Sequence, residues 1–393
     1  MVDLEELARR CKFSVDTLLE LQKVYEDDLE EVVQSLKVPG CHYYFRVNTL
    51  KTTVDHITKR FEDKGLHVCR HPLIEEALYF EVEASKPIEI FEKKVMVDKF
   101  TAESVLQGAH VYAPGIKKCQ GLREGDKTTV IDDQGQVVGA GIARMSENSI
   151  LTLRQGLAIE VTFPLFRIPS LRETPEYEQG LVYPQSLPAI STSRILDPQP
   201  GETIVDLTCS PGGKLSHISQ LTKGLARIIG VDRNETKISL ARETVRRLGC
   251  NGVALISHDA RYLDVDFPEL SADRCLVDPP CSALGIKPKT YEYTSQSEIQ
   301  ALSKYQRQFL KASSRILRPN GILTYSVCTM TLQECEENVK FAVEECGLEV
   351  EKQDLMLGST GFDTILPEGK LTQRFDPHLH DSGYFVAKFR KKG

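Results

Sequence analysis

The stretch "ETIVDLTCSPGGKLSH", Glu202 to His217, decides how the second half of the chain folds. Thr203 to Leu207 reads as a strand, the Pro-Gly-Gly at 211–213 as its turn, and the residues beyond as a helix. The same alternation continues through "RIIGVD", "ALISHDA", "RCLVDPP", a long helix, "GILTYSVC", a further helix, "LEVEKQ" and "GYFVAKFRK". Strands dense in β-branched residues that alternate with helices imply an α/β, Rossmann-like fold, with a mostly parallel sheet covered on both faces. Ligands of such sheets sit beyond the carboxyl ends of the strands.

The turn itself excludes one ligand chemistry. Its glycines are adjacent, so it is not G-x-G-x-x-G, and Lys214 lacks the upstream glycine and following Ser or Thr of a Walker A loop. A phosphate cradle is therefore not expected, although Gly212 and Gly213 would let a ligand approach the backbone closely. Asp206, Asp232, Asp259 and Asp278 stand at the ends of four successive strands. Four acids suit ribose hydroxyls, an exocyclic amine and a cationic centre, and S-adenosyl-L-methionine has all three.

Two thiols stand at strand ends as well, in "VDPPCSALG" (277–285) and "YSVCTMT" (325–331). A "DPP" followed by an aromatic residue holds planar amines in amino-group methyltransferases, but Cys281 cannot stack on a base. Methylation of carbon 5 of a pyrimidine instead needs a nucleophile at carbon 6, and a thiolate serves.

Together these motifs resemble the Sun-domain (Fmu-type) family of RNA cytosine-5 methyltransferases. The resemblance rests on "DLTCSPGGK", "VDPPCSALG", "YSVCT", "RFDPHLHDSGYFVAKFRKK", "RVNTLK" at 46–51 and "SLPAISTSRILDPQPGE", and it spans about residues 40–393. It implies that Cys328 attacks carbon 6 of cytosine, that Asp278 meets N3, that Cys281 assists proton removal and release, and that Lys214 is the catalytic-site lysine. It also implies a cofactor pocket formed by Thr208, Cys209, Ser210, Pro211, Gly212, Gly213, Lys214, Asp232, Asp259 and Asp278, with Lys237 a further candidate. Ala283 stands where the family usually has glycine, Lys287 where it has arginine, and Val327 where it has threonine.

Ahead of this domain, short apolar runs separated by Gly, Asp and Pro imply a small barrel. "GAHVYAPGI" at 108–116, Gly125-Asp126 and the returning "GAGIARMS" resemble a PUA RNA-binding domain. A PUA domain in front of a Sun domain looks most like the family member that modifies the acceptor end of tRNA. RNA contacts are expected from Lys99, Lys117 and Lys118, from stacking on Tyr112, and from Lys287 in the Cys281 loop. Arg46 and Asn48 either hold the N-terminal module or touch RNA. The expected domains are a helical segment at 1–39, an α/β RRM-like module at 40–90 completed by 171–195, the PUA domain at 91–170 and the methyltransferase domain at 196–393.

Composition bounds the rest. The 393 residues are 41% hydrophobic and 27% charged, which fits two or three folded domains. The net charge of −7 conceals an uneven distribution: segments 1–40 and 71–90 together carry −9, leaving +2 for the remainder and room for a basic RNA groove. Eleven cysteines, with no C-x2-C pair, imply reduced thiols and no metal. The acidic opening and the lack of a long apolar stretch imply a cytoplasmic protein with no membrane partner, expected to be a monomer. Two other readings remain open at this point, a DPP-type amino-group methyltransferase and an RNA-binding scaffold with an inactive domain.

Overall fold

Strand Thr203–Asp206 lies between Arg227–Asp232 and Ala272–Val277, and all three run parallel. Val253–Ser257 extends the sheet on one side and Leu317–Val327 on the other, both parallel, before Tyr384–Lys391 adds antiparallel. The first and fourth of these strands in sequence are neighbours, so the order reverses between them and a crevice opens beyond Asp206 and Asp278. This computed structural model describes residues 3–85 and 87–393. Successive strand residues enter different cores: Val205, Ile229, Cys275 and Leu323 pack with Phe309 and Val339, whereas Ile204, Ile228, Leu276 and Ile322 pack with Leu215 and Ala241. Burial of both faces explains the unbroken apolar runs in these strands.

A six-stranded sheet built from segments between Lys94 and Pro164 forms a separate core around Val95, Val105, Val130 and Ile159. On either side of it in sequence lie the parts of a four-stranded antiparallel sheet, in the order Val182–Pro184, His42–Val47, Ala77–Glu81, Cys69–Arg70. Phe45, Phe61, Phe80 and Val182 share its core, so this module closes only after the chain has passed through the six-stranded domain.

"RVNTLK" fastens that module to the catalytic sheet. Arg46 is fully buried and donates to Gln220, to Ser216 Oγ at 2.9 Å and to the Gly213 carbonyl at 3.3 Å, all on helix Gly213–Leu221. Asn48 Nδ2 and Lys51 Nζ donate to the carbonyls of Leu248 (2.7 Å) and Arg247 (2.6 Å) at the end of helix Glu235–Leu248. Both helices follow cofactor-side strands. In this structure Arg46 and Asn48 hold domains together, and neither faces solvent.

Glu76 adds an ion pair to Arg194 and a 2.8 Å bond to His217. Burial, reinforced by the nearby Arg46 charge, lowers His217 from 6.5 to about 4. An unfolded histidine takes up a proton below 6.5 while the folded one stays neutral, so stability falls as pH drops from 6.5 towards 4, by up to about 3 kcal/mol. Urea unfolding midpoints should drop between pH 7 and pH 4.5, and His217→Gln should flatten that slope.

The N-terminal segment folds as the helices Leu4–Cys11, Val15–Tyr25 and Leu29–Leu36, which pack against the catalytic domain. Leu7, Leu18, Leu21 and Leu36 share a core with Leu284 and Met330, which lie three and two residues beyond the two thiols. Glu20 accepts from Gln333 Nε2 at 2.6 Å. These helices therefore support the two thiol loops.

Candidate active site

Cys281 and Cys328 meet with their sulfurs 3.1 Å apart, as free thiols. Cys328 follows strand Leu317–Val327 directly, and Cys281 sits in the loop after the neighbouring strand, so the parallel register brings them together. Bonding to Cys328, together with burial, pushes the Cys281 thiol well up.

Asp278 lies beside them. One carboxylate oxygen accepts from Lys214, and the other from Ser326 Oγ at 2.7 Å and the Tyr384 hydroxyl at 3.1 Å. Three donors converge on the one side chain. Burial works against the charge of Lys214, but Asp278 and Tyr384 outweigh it and raise the ammonium above its usual range. Tyr384 is itself raised by burial and by Asp278.

Two cavities meet at this point. One, of about 270 Å³, is lined by Thr208, Ser210, Asp232, Lys237, Asp259 and Phe309; the other, of about 440 Å³, is lined by His42, Tyr44, Lys214, Lys287 and Tyr384; Asp278 and Cys328 line both. The first cavity fits S-adenosylmethionine by its donor set. Asp232 and Asp259 offer acceptors at strand tips, while Leu207, Ala260 and Phe309 offer an apolar surface. Asp259 is also held by Arg261, whose bonds keep its carboxyl below the usual range.

Several expected pocket residues stand elsewhere. Cys209 is buried in the core beneath the turn, and burial drives its thiol up. Gly212 and Gly213 are filled by the protein itself: a Cβ would come within 3.1 Å of Thr244 at Gly212 and 2.9 Å of Tyr183 at Gly213. On the Cβ side they make room for packing, with φ of 102° at Gly212. Pro211 is exposed outside the cleft lining, and Lys214 faces the second cavity, not the first. Asp206 lies below the cleft, its carboxyl raised to about 7 by burial and by the charges of Asp278 and Asp232.

The expected RNA contacts separate into two groups. Lys99 pairs with Glu292 at 3.2 Å and lies over the Tyr291 ring, and Lys287 donates to the Pro377 carbonyl at 2.8 Å, so both have partners within the chain. Lys117 is exposed but pairs with Asp133. Lys118 and Tyr112 are exposed.

Three residues escaped the sequence reading. Ser326 and Tyr384 lie inside quoted motifs, and Ser326 shares a strand face with Cys328 by period-two spacing. Glu334, fully buried, accepts from Ser282 N and Oγ, Gln306 Nε2, Thr329 Oγ1 and Thr331 Oγ1. Ser282 and Thr329 each follow a thiol and bond one another at 2.7 Å, so Glu334 laces the two loops together. The Gly285 amide donates to the Cys328 carbonyl at 3.0 Å, and a Cβ at Gly285 would lie 1.9 Å from the Gly383 carbonyl, just before Tyr384. Ala283 holds φ 55°, which explains why glycine is the usual residue at that position. Glu334→Ala should lower kcat by about 100-fold through misplaced thiols, with S-adenosylmethionine affinity measured by calorimetry unchanged.

Among the described residues no helix is long and apolar enough to cross a membrane, and no group of three or more His, Cys, Asp or Glu is placed to hold a metal.

Comparison with known proteins agrees with this geometry. Residues 193–390 match the 16S rRNA methyltransferase RsmB/F family and residues 93–165 match the PUA domain. A tRNA (cytosine(72)-C(5))-methyltransferase of Pyrococcus horikoshii is 39% identical over 384 residues, covering 95% of this chain and 96% of the relative. The Homo sapiens tRNA (cytosine(72)-C(5))-methyltransferase NSUN6 is 31% identical over 396 residues, covering 90% and 83%. The crystal structure of NSun6 from Pyrococcus horikoshii with SFG, an analogue of S-adenosylmethionine, aligns with a TM-score of 0.89 at 38% identity, covering 97% of this chain and 99% of that one. With two thiols in contact at paired strand ends and both domains matched, the chain belongs to the RsmB/F Sun-domain family of S-adenosylmethionine-dependent RNA cytosine-5 methyltransferases, in a form that carries a PUA domain.

Proposed function

We propose that the protein methylates carbon 5 of a tRNA acceptor-stem cytosine next to the CCA end, acting as a cytoplasmic monomer. The observation that carries the chemistry is the Cys281–Cys328 contact beside Asp278, where the two cavities meet. The acceptor-end target is supported by the activity named for both full-length relatives.

S-adenosylmethionine, when bound, supplies an electrophilic methyl group. Cys328 Sγ adds to carbon 6 of the flipped cytosine, which makes carbon 5 nucleophilic. Asp278, held by Lys214 and two hydroxyls, accepts a hydrogen bond from N3 as that nitrogen takes up the proton that the Cys328 thiol gives up. After methyl transfer Cys281, its own proton given up to solvent, takes the carbon-5 proton as a thiolate, the Sγ–carbon 6 bond breaks, N3 returns its proton to the departing Cys328 thiolate and the ring is restored. Lys117, Lys118 and Tyr112 on the PUA domain would grip the single-stranded end, offsetting the few kcal/mol that unstacking costs.

The test is nucleoside analysis of a tRNA transcript after incubation with S-adenosylmethionine. 5-Methylcytidine should appear and should vanish when the acceptor-stem cytosine is replaced by uridine. Methylation that persists at another position would overturn the acceptor-end reading.

A further inference from the structure

Part of the wall of the larger cavity comes from the N-terminal sheet and carries an aromatic cluster that the reaction does not use. Along strand His42–Val47, residues 42, 44 and 46 share one side, and Arg46 fixes that side against the catalytic domain. His42 and Tyr44 line the cavity. The Tyr79 ring, from the neighbouring strand, lies 4.6 Å from His42 and 5.2 Å from Tyr44, and His71 extends the row at 6.3 Å from Tyr44. Tyr79 and His42 are only partly buried.

The row is tied to the active site. Asp381 accepts from the His42 amide and contacts its Nδ1, both at 2.9 Å, and three residues later Tyr384 bonds Asp278. The cavity lined by Lys214, Asp278 and Cys328 is therefore also lined by His42 and Tyr44, with Tyr79 packed behind them. Partly open rings that continue a cavity built for one nucleotide are suited to stack the next.

We propose that His42 and Tyr79, with Tyr44 as the inner wall, form a stacking platform for an unpaired nucleobase adjoining the target cytosine. This rests on the reading that the cytosine enters through the larger cavity. The N-terminal module is then part of the RNA site, through a face distinct from the Arg46 clamp.

The experiment compares the parent, Tyr79→Ala and Tyr79→Phe on RNA that is intact or abasic at either neighbour of the target cytosine. Tyr79→Ala should raise the KM for RNA about 5- to 100-fold, with the KM for S-adenosylmethionine unchanged and Tyr79→Phe close to the parent. One abasic neighbour should cost the parent a similar factor and cost Tyr79→Ala nothing further. An unchanged KM for Tyr79→Ala, or penalties that multiply in full at both neighbours, overturns the proposal. The same comparison, read as RNA Kd in a Cys328→Ala background, separates loss of stacking from a failure of the methylation reading.

Discussion

Cys281→Ala should trap the protein as a covalent adduct with its RNA, visible as a shifted band on a denaturing gel when S-adenosylmethionine is present. Cys328→Ala should show no adduct, and its methyl transfer should fall by about 10⁴-fold or more. The asymmetry follows from the site. Cys328 lines both cavities, whereas Cys281 lines only the first and reaches the reacting base through its contact with Cys328. Removing Cys281 leaves the Cys328 adduct formed but without its route to elimination. If the amino-group reading held, Cys328→Ala would still methylate; if the scaffold reading held, the parent would not.

Arg46→Met should destabilise the fold by about 3 kcal/mol or more, lower the melting temperature and weaken S-adenosylmethionine binding. Methionine keeps much of the volume but leaves Gln220, Gln185 and the Gly213 carbonyl without the guanidinium that meets them. Burial already lowers the arginine to about 10, so this cation is costly to place and worse to leave half-partnered. A variant with parent-like melting whose defect lay only in RNA affinity would show that Arg46 contacts RNA after all.

The catalytic fold was legible because its signals are local. Parallel strands buried on both faces read as apolar runs, and the turn after Asp206, the "DPPC" loop and the "SVC" strand end each carry their own residue types. Register then did what sequence could only suggest, since pairing Val277 with Tyr325 brings Cys281 within reach of Cys328.

What stayed hidden depends on partners distant in the chain. The Pro-Gly-Gly turn signals close approach without naming what approaches; on the Cβ side of its glycines it is Thr244 and Tyr183. Asp206 looks equivalent to Asp232 in sequence, but only Asp232 lines the cleft. Glu334 reads as one acid among several at the start of a helix, and its role appears only when Ser282, Gln306 and Thr331 converge on it. Lys99 looked like a free cation because Glu292, its partner, is 193 residues away.

The most direct test of the central claim is the site of attachment. A tRNA transcript made with 5-fluorocytosine cannot lose its carbon-5 substituent as a proton, so the adduct persists after methyl transfer. Digestion and mass analysis should then find the nucleotide on the peptide that contains Cys328. A nucleotide on the Cys281 peptide, or methyl transfer with no adduct on either thiol, would contradict the account.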